Sequence, residues 1–143
     1  MAANPLDAIV RVHKLALDQA RKDLAFCSRA EQKAQRAAEE ATSAIEVERR
    51  VAHSLSTAVQ PTQEVSLWFR SAQRAASYHS RRQDAASVAS TKARKQLIAC
   101  HEANKIAEQL TKSRQLARRA EIEKREQFSL QDTVRLARSQ VDD

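Results

Sequence analysis

Two long helical patterns in this chain are separated by one short stretch, residues 54–62, which reads SLSTAVQPT. Gln60 precedes Pro61, and the proline ring disfavours the helical backbone conformation at the residue before it. Thr62 has a side-chain oxygen that can cap the next helix, and Glu64 places a negative charge in that helix's first turn. The stretch therefore predicts one helix on each side of a turn within about residues 56–66.

The residues before this stretch form one apolar stripe. Asn4 and Pro5 are typical of a helix start. The side chain of asparagine can accept a hydrogen bond from a free backbone N–H, and proline has no backbone N–H that would stay unsatisfied. Asp7 adds a favourable negative charge in the first turn. The stripe advances in steps of three and four, the spacing of one helix face. Its members are Leu6, Ile9, Val10, His13, Leu17, Ala20, Leu24, Cys27, Ala34, Ala38, Ala41, Ile45, Val51 and Leu55. It predicts a first helix over about 5–59.

A second, longer stripe follows the stretch and predicts a second helix over about 63–140. Its members are Val65, Trp68, Ala72, Ala75, Ala76, His79, Ala86, Ala89, Ala93, Leu97, Cys100, Ala107 and Leu110. It continues with more polar interruptions through Ala117, Phe128, Val134 and Ala137. Both stripes are rich in alanine, which buries little apolar area per residue, so we expect modest stability.

The composition favours uninterrupted helices. Glycine is absent from all 143 residues, and proline occurs twice. Tight turns usually need glycine to reach positive φ, so this chain has little use for them. Disorder is the competing interpretation of a chain with 30% charged and 3% aromatic residues, but the periodic apolar residues argue against it. We therefore expect an all-α fold, a single long antiparallel two-helix coiled-coil hairpin over residues 1–143.

The unequal helix lengths predict an overhang. At 1.5 Å per residue the first helix is about 80 Å long and the second about 110 Å. The second helix therefore lacks a partner within the chain from about Arg118 onward. A turn near residue 63 pairs residues whose numbers sum to about 126. This register places Cys27 and Cys100 at one level of the seam, as reduced thiols.

Several classes of function find no support in the sequence. A glycine-rich phosphate loop cannot form without glycine. The histidines, His13, His53, His79 and His101, are scattered and have no metal-ligand spacing. We expect no catalytic residue, cofactor or metal, and no enzyme activity. No stretch approaches the ~20 apolar residues of a membrane span, and the N-terminus lacks the features of a secretory signal, which predicts a cytoplasmic protein.

Positive charge is concentrated in the second helix. Residues 61–143 hold sixteen basic and ten acidic residues, against nine and eight in residues 1–60. The surplus lies mainly in Lys92, Arg94, Lys95, Lys105, Lys112, Arg114, Arg118, Arg119, Lys124 and Arg125. Such a face can be a solvated coiled-coil surface, or it can meet an acidic protein channel, anionic lipid or nucleic acid. Nucleic acid is the least favoured partner, because no recognition motif and no stacking aromatics accompany these residues.

Three of the five aromatic residues follow the turn closely: Trp68, Phe69 and Tyr78. Neighbouring residues on a helix point about 100° apart, so Trp68 and Phe69 cannot both enter one narrow seam. We expect one to cap the tip of the hairpin and the other to be an exposed anchor for a partner.

The C-terminal third carries three short motifs, Glu108-Gln109-Leu110-Thr111-Lys112-Ser113-Arg114, then Glu126-Gln127, then Gln131-Asp132. In this order they resemble the FliJ and YscO/HrpO stalk proteins of type III secretion. That family tends to carry an E-x-L-x-x-R segment, then an acidic-Gln pair, then an acidic pair and a short helical tail. Ser113 stands where the family commonly has arginine, and Gln131 where it has aspartate.

The resemblance implies a non-enzymatic cytoplasmic stalk, peripherally associated with a membrane-embedded export apparatus and active in protein transport. Its partners would be a hexameric export ATPase, an export gate protein and export chaperones. The residues expected to meet the ATPase ring are Lys112, Arg114, Arg118, Arg119, Lys124 and Arg125. Trp68 and Phe69, at the opposite end, are expected to meet the export gate. The alternative function is a basic coiled-coil adaptor that binds nucleic acid or an anionic surface.

Overall fold

The computed structural model describes residues 4–55 and 63–141. Almost all of them belong to two helices, α1 (Pro5–Leu55) and α2 (Gln63–Val141). These described ranges contain no strand, so the prediction of an all-α fold with two long helices packed on each other is confirmed. Residues 56–59, predicted to end the first helix, lie outside the described residues, as does the part of the predicted turn before Gln63.

Local chemistry accounts for the start of α1. The Oδ1 atom of Asn4 accepts a hydrogen bond from the backbone N–H of Leu6 at 3.2 Å, and the N–H of Asp7 donates to the Asn4 carbonyl at 2.9 Å. These bonds satisfy donors that the helix itself leaves free. Asp7 lies in the first turn of α1 and Glu64 in the first turn of α2, where a negative charge favours the helix dipole.

The backbone explains how the chain can lack glycine. No residue in the described ranges has a positive φ, and none follows a cis peptide bond. Positive φ is the conformation for which glycine is the default residue. Since no described residue of the two helices has a left-handed conformation, none of these positions requires glycine.

The chain divides into two compact units. The first consists of Met1–Ala16 with Cys100–Asp143, and the second of Leu17–Ala99. In the first unit the Nζ atom of Lys14 lies 3.9 Å from Oε1 of Glu108. In the second unit the Nη2 atom of Arg94 lies 3.8 Å from Oε2 of Glu31. Each of these ion pairs joins α1 to α2, and both are partly exposed, so they contribute little to stability.

The buried seam is narrow and made mostly of small side chains. Among the described residues the buried ones are Leu17, Ala20, Ala38, Ser90, Ala93 and Ala107. All but Ser90 belong to the stripes read from the sequence. Other stripe members, such as Val51 and Leu110, are about half exposed or more. A helix with one neighbour buries only a narrow arc of its surface, so much of a wide apolar stripe stays in solvent.

The alignment of the two helices can be compared with the predicted one within each unit. In the first unit a turn near residue 63 would place Lys14 opposite Lys112, whereas Lys14 lies beside Glu108, about one helical turn away. In the second unit Glu31 lies beside Arg94, one residue from its predicted partner Lys95. The contacts therefore lie within about one helical turn of the predicted register.

Cys27 and Cys100 are both half-buried thiols. The expectation that they lie at one level of the seam stays a prediction, because the two residues belong to different units of the chain.

Candidate partner-binding surfaces

The C-terminal segment, defined here as residues 112–140, is a continuation of α2 with all its side chains in solvent. Every residue from Lys112 to Gln140 is exposed, whereas Thr111 is still half-buried. Large apolar side chains are included: Leu116, Phe128, Leu130 and Leu136 are each about two-thirds exposed. An isolated helix in water is marginally stable, and proteins usually bury one face of it. Residues up to Glu121 still share a cleft with Asn4 and Leu6, so the described part of α2 without a partner within the chain begins after Glu121, a few residues later than expected.

The six basic residues predicted to meet an ATPase ring all lie on this segment, but they do not share one face. At about 100° per residue, Arg114, Arg118 and Arg125 fall on one face of the helix. Lys112 and Arg119 fall together on a different face, and Lys124 belongs to neither. A partner that contacts all six must therefore surround the helix rather than pack against one side of it.

A shallow cleft of about 340 Å³ marks the base of the C-terminal segment, in the first unit. Arg114 and Arg118 line it from α2, and Asn4 and Leu6 line it from the start of α1. Further along the face, Arg125 donates a hydrogen bond to Glu121 at 2.6 Å. Of the six predicted cations, Arg114 and Arg118 thus lie beside the start of α1, and Arg125 forms an ion pair with Glu121.

The C-terminal segment also carries an apolar seam that the sequence analysis missed. Strict alternating steps of four and three connect Leu116, Ala120, Glu123, Gln127, Leu130, Val134 and Ala137. This is the heptad spacing of a coiled-coil seam, interrupted at its middle by two polar residues. Counting strict heptads, rather than any step of three or four, would have found it.

Trp68 and Phe69 lie at the end of the second unit that holds the start of α2. Both line a cleft of about 470 Å³ together with Val51, Leu55 and Val65. Their rings meet edge to face, with centroids 5.2 Å apart. Phe69 is half-buried, and Trp68 is 40% exposed. The two rings contact each other and share one cleft, and neither of them is largely exposed.

An arginine-rich face on α2, also in the second unit, was not singled out by the sequence analysis. It forms a shallow groove lined by Arg70, Gln73, Arg74, Ser77, Tyr78 and Arg81. The guanidinium of Arg82 lies over the ring of Tyr78, 5.7 Å from its centroid, and its Nη1 is 3.4 Å from the phenol oxygen. No acidic residue occurs between Val65 and Gln83. Summing charge over halves of the chain concealed this local run.

Three further observations concern metal binding, membrane spans and similarity to known proteins. Within the described part of the chain, no three His, Cys, Asp or Glu side chains are grouped closely enough to hold a metal ion. No helix over the same residues is long and apolar enough to cross a bilayer. The surfaces above are thus the features from which a function can be argued. Comparisons with protein-family models, curated proteins and solved structures found no match to this chain.

Proposed function

We propose that this protein is a non-enzymatic central stalk of a type III secretion export apparatus, which couples a hexameric export ATPase to an export gate. The observation that carries the proposal is the C-terminal segment, a long helix whose described side chains are all exposed. It holds eight Lys or Arg residues against four Asp or Glu residues. A helix of this kind requires a binding partner to bury its apolar residues, and its charge favours an acidic one.

The distribution of charge around the helix supports a ring as that partner. Arg114, Arg118 and Arg125 occupy one face, whereas Lys112 and Arg119 occupy another. A flat partner would leave half of these cations in solvent. A hexameric ring with acidic residues along its pore can contact all faces of one helix at once.

The cleft at Trp68 and Phe69 supports a second contact, with the export gate. The cleft combines a partly exposed indole ring with the apolar side chains of Val51 and Leu55. Exposed aromatic residues next to a pocket are frequent energetic centres of protein interfaces. In the proposal, the protein is cytoplasmic, is held at the membrane by the gate and also binds export chaperones.

Charge reversal tests the ATPase contact. The variant Arg118→Glu, Arg119→Glu, Lys124→Glu and Arg125→Glu should abolish stimulation of the cognate export ATPase, because it replaces attraction by repulsion at the proposed contact. The matched control reverses Arg36, Arg49, Arg70 and Arg74, which are exposed residues of the second unit. The control should stimulate as the unaltered protein does. Equal stimulation by both variants, with helicity retained in circular dichroism, would exclude the C-terminal segment as the contact.

A second candidate function, a basic adaptor for nucleic acid or an anionic surface, is favoured by the run from Val65 to Gln83 that lacks acidic residues. Its arginines contribute mainly through phosphate contacts, so binding should weaken steeply with salt. Titration of a single-stranded oligonucleotide at two salt concentrations separates the two functions. Tight, salt-dependent binding without any effect on a secretion ATPase would favour the adaptor.

A further inference from the structure

The second unit contains an open cleft whose chemistry differs from that of the surfaces above. It has a volume of about 660 Å³ and lies between the middle of α1 and residues His79 and Arg82 of α2. Its apolar lining is made of the alanines Ala30, Ala34 and Ala37, with Phe26 at one end. We call it the Phe26 cleft.

The cleft follows from a second apolar stripe on α1. The spacing of Phe26, Ala30, Lys33 and Ala37 is four, three and four, as in one side of a coiled coil, and Lys33 is the one charged member of this stripe. The stripe lies beside the seam that packs on α2, to which the buried Ala38 belongs. A helix with two adjacent seams has room for two neighbouring helices, and within the second unit α2 covers only one of the seams.

The rim of the cleft is positively charged. Arg29 and Lys33 line it from α1 and Arg82 lines it from α2, and none of the residues that line the cleft is acidic. The nearby carboxylate of Glu31 is 3.8 Å from Arg94, and that of Glu39 accepts a hydrogen bond from Gln35. The stacking of Arg82 on Tyr78 holds one of the three cations at the edge of the cleft.

Phe26 gives the cleft an anchor point. Its side chain is 74% exposed, the largest exposure among the large apolar residues of the described chain. A ring in this position gains little from the hairpin itself. A partner that packs an apolar side chain between Phe26 and the alanines would bury the ring and exclude water from the neighbouring cations.

The shape and charge of the cleft determine the occupant. A second copy of this chain is disfavoured, because its unpaired helix, the C-terminal segment, is itself basic. Single-stranded nucleic acid needs successive aromatic platforms, and the floor here is alanine. The distance from Phe26 to Ala37, about 16 Å along the axis, corresponds to three turns of helix. Grooves of this type bind amphipathic helices through anchors at i, i+3 or i+4, and i+7.

We propose that the Phe26 cleft binds an amphipathic helix of another protein, one that presents large apolar residues flanked by Asp and Glu. This helix packs along the second stripe of α1, as a third helix beside α1 and α2. The inference is independent of the stalk function, because it uses neither the C-terminal segment nor the cleft at Trp68 and Phe69.

The test is a titration, by fluorescence anisotropy, of a labelled helical peptide of about three heptads with leucine at the seam and glutamate at the flanks. The full-length protein should bind it with an affinity that falls as salt rises. A peptide with lysine in place of glutamate should bind at least about tenfold more weakly, because like charges oppose its approach. An oligothymidine probe is the third arm.

Two variants of the protein locate the site. The triple reversal Arg29→Glu, Lys33→Glu and Arg82→Glu should weaken binding of the acidic peptide at least about tenfold, a change of about 1.4 kcal/mol. Reversal of Arg36, Arg49 and Arg50, exposed residues of the same unit, should change it less than about threefold. Ala30→Trp, which fills the cleft without changing charge, should also weaken binding, whereas Ala44→Trp on the exposed surface of α1 should not.

Four results would overturn the proposal. They are no binding of the acidic peptide, equal loss in the two triple variants, equal affinities for the two tryptophan variants, or tighter binding of oligothymidine than of the peptide. Circular dichroism of each variant shows whether its helices are intact. If charge reversal lowers helicity, the two tryptophan variants provide the test, because Ala30 and Ala44 are both exposed and their replacement should leave the helices intact.

Discussion

At the scale of single residues, the fold depends on very few large side chains. Leu17 is the only large apolar residue that is buried among those described, at 6% exposure. Its neighbours in the seam are mostly alanines, which bury less area. One leucine therefore supplies a disproportionate share of the apolar burial of the second unit.

Replacing Leu17 with alanine should lower the free energy of unfolding by about 2–3 kcal/mol, the lower part of the range for buried leucines, because a two-helix seam can partly collapse around the gap. Urea unfolding followed by circular dichroism measures the loss. Leu15, which is 65% exposed, supplies the control: Leu15→Ala should cost less than about 0.5 kcal/mol. Equal costs for the two variants would mean that Leu17 is not part of the core.

Trp68 and Phe69 carry the second residue-scale prediction, which concerns the proposed gate contact. Replacing both with alanine should weaken binding to the isolated cytoplasmic domain of the gate protein by at least about 2 kcal/mol, the threshold of an interface anchor. Stimulation of the ATPase should be nearly unchanged, because the proposed ATPase contact belongs to the first unit. Leu67→Ala, which removes an exposed neighbour, is the control. Wild-type affinity of the double variant would leave the two rings as a packing contact of the hairpin.

At the scale of elements, the two ends of α2 differ in what they contribute. Within the second unit α2 packs on α1, whereas its C-terminal segment is exposed throughout. Stability and the proposed ATPase contact should therefore be separable along one continuous helix. The base of the segment is the exception, because Arg114 and Arg118 lie beside the start of α1.

Ending the chain after Glu121 tests this separation and leaves that base intact. The midpoint of thermal unfolding should fall by less than about 4 °C, the shift that corresponds to about 1 kcal/mol in a small domain, because the removed residues bury no side chain within the described structure. Stimulation of the ATPase should be lost. A large fall in the midpoint, measured by circular dichroism, would show that the segment packs on the rest of the protein in solution.

At the scale of the whole molecule, net charge opposes the fold. The formal net charge is +7, and the ion pairs in the described structure are mostly solvent-exposed. Exposed pairs contribute little, whereas a net charge of one sign destabilises a compact state through self-repulsion. Repulsion of this kind acts over distances that salt can screen.

Raising the ionic strength from about 0.01 M to about 0.15 M, which shortens the Debye length from about 30 Å to about 8 Å, should therefore raise the unfolding midpoint. The variant with four reversals in the C-terminal segment is the control. Each reversal changes the charge by two, so the variant has a net charge of −1 and should show a smaller rise. A fall in the midpoint of the unaltered protein would show that attractive pairs such as Glu31 with Arg94 dominate.

The sequence by itself determined the two helices. Their periodicity, the cap at Asn4 and the proline at residue 61 are local signals, and helix formation responds to interactions within a few residues. The absence of glycine is likewise compatible with the described backbone, in which no residue has a positive φ. These features could be predicted because each depends on neighbours in the chain rather than on the alignment of distant segments.

Only the tertiary structure decided which residues meet. The register could be predicted only to within about one helical turn, because a seam of alanines has few bulky side chains that fit a single alignment. Two clefts depend on that alignment, the one that Trp68 and Phe69 share with Val51 and Leu55 and the Phe26 cleft, and neither could be derived from periodicity. The apolar stripes identified where a helix could be buried, but the number of neighbouring helices determined how much of each stripe is covered.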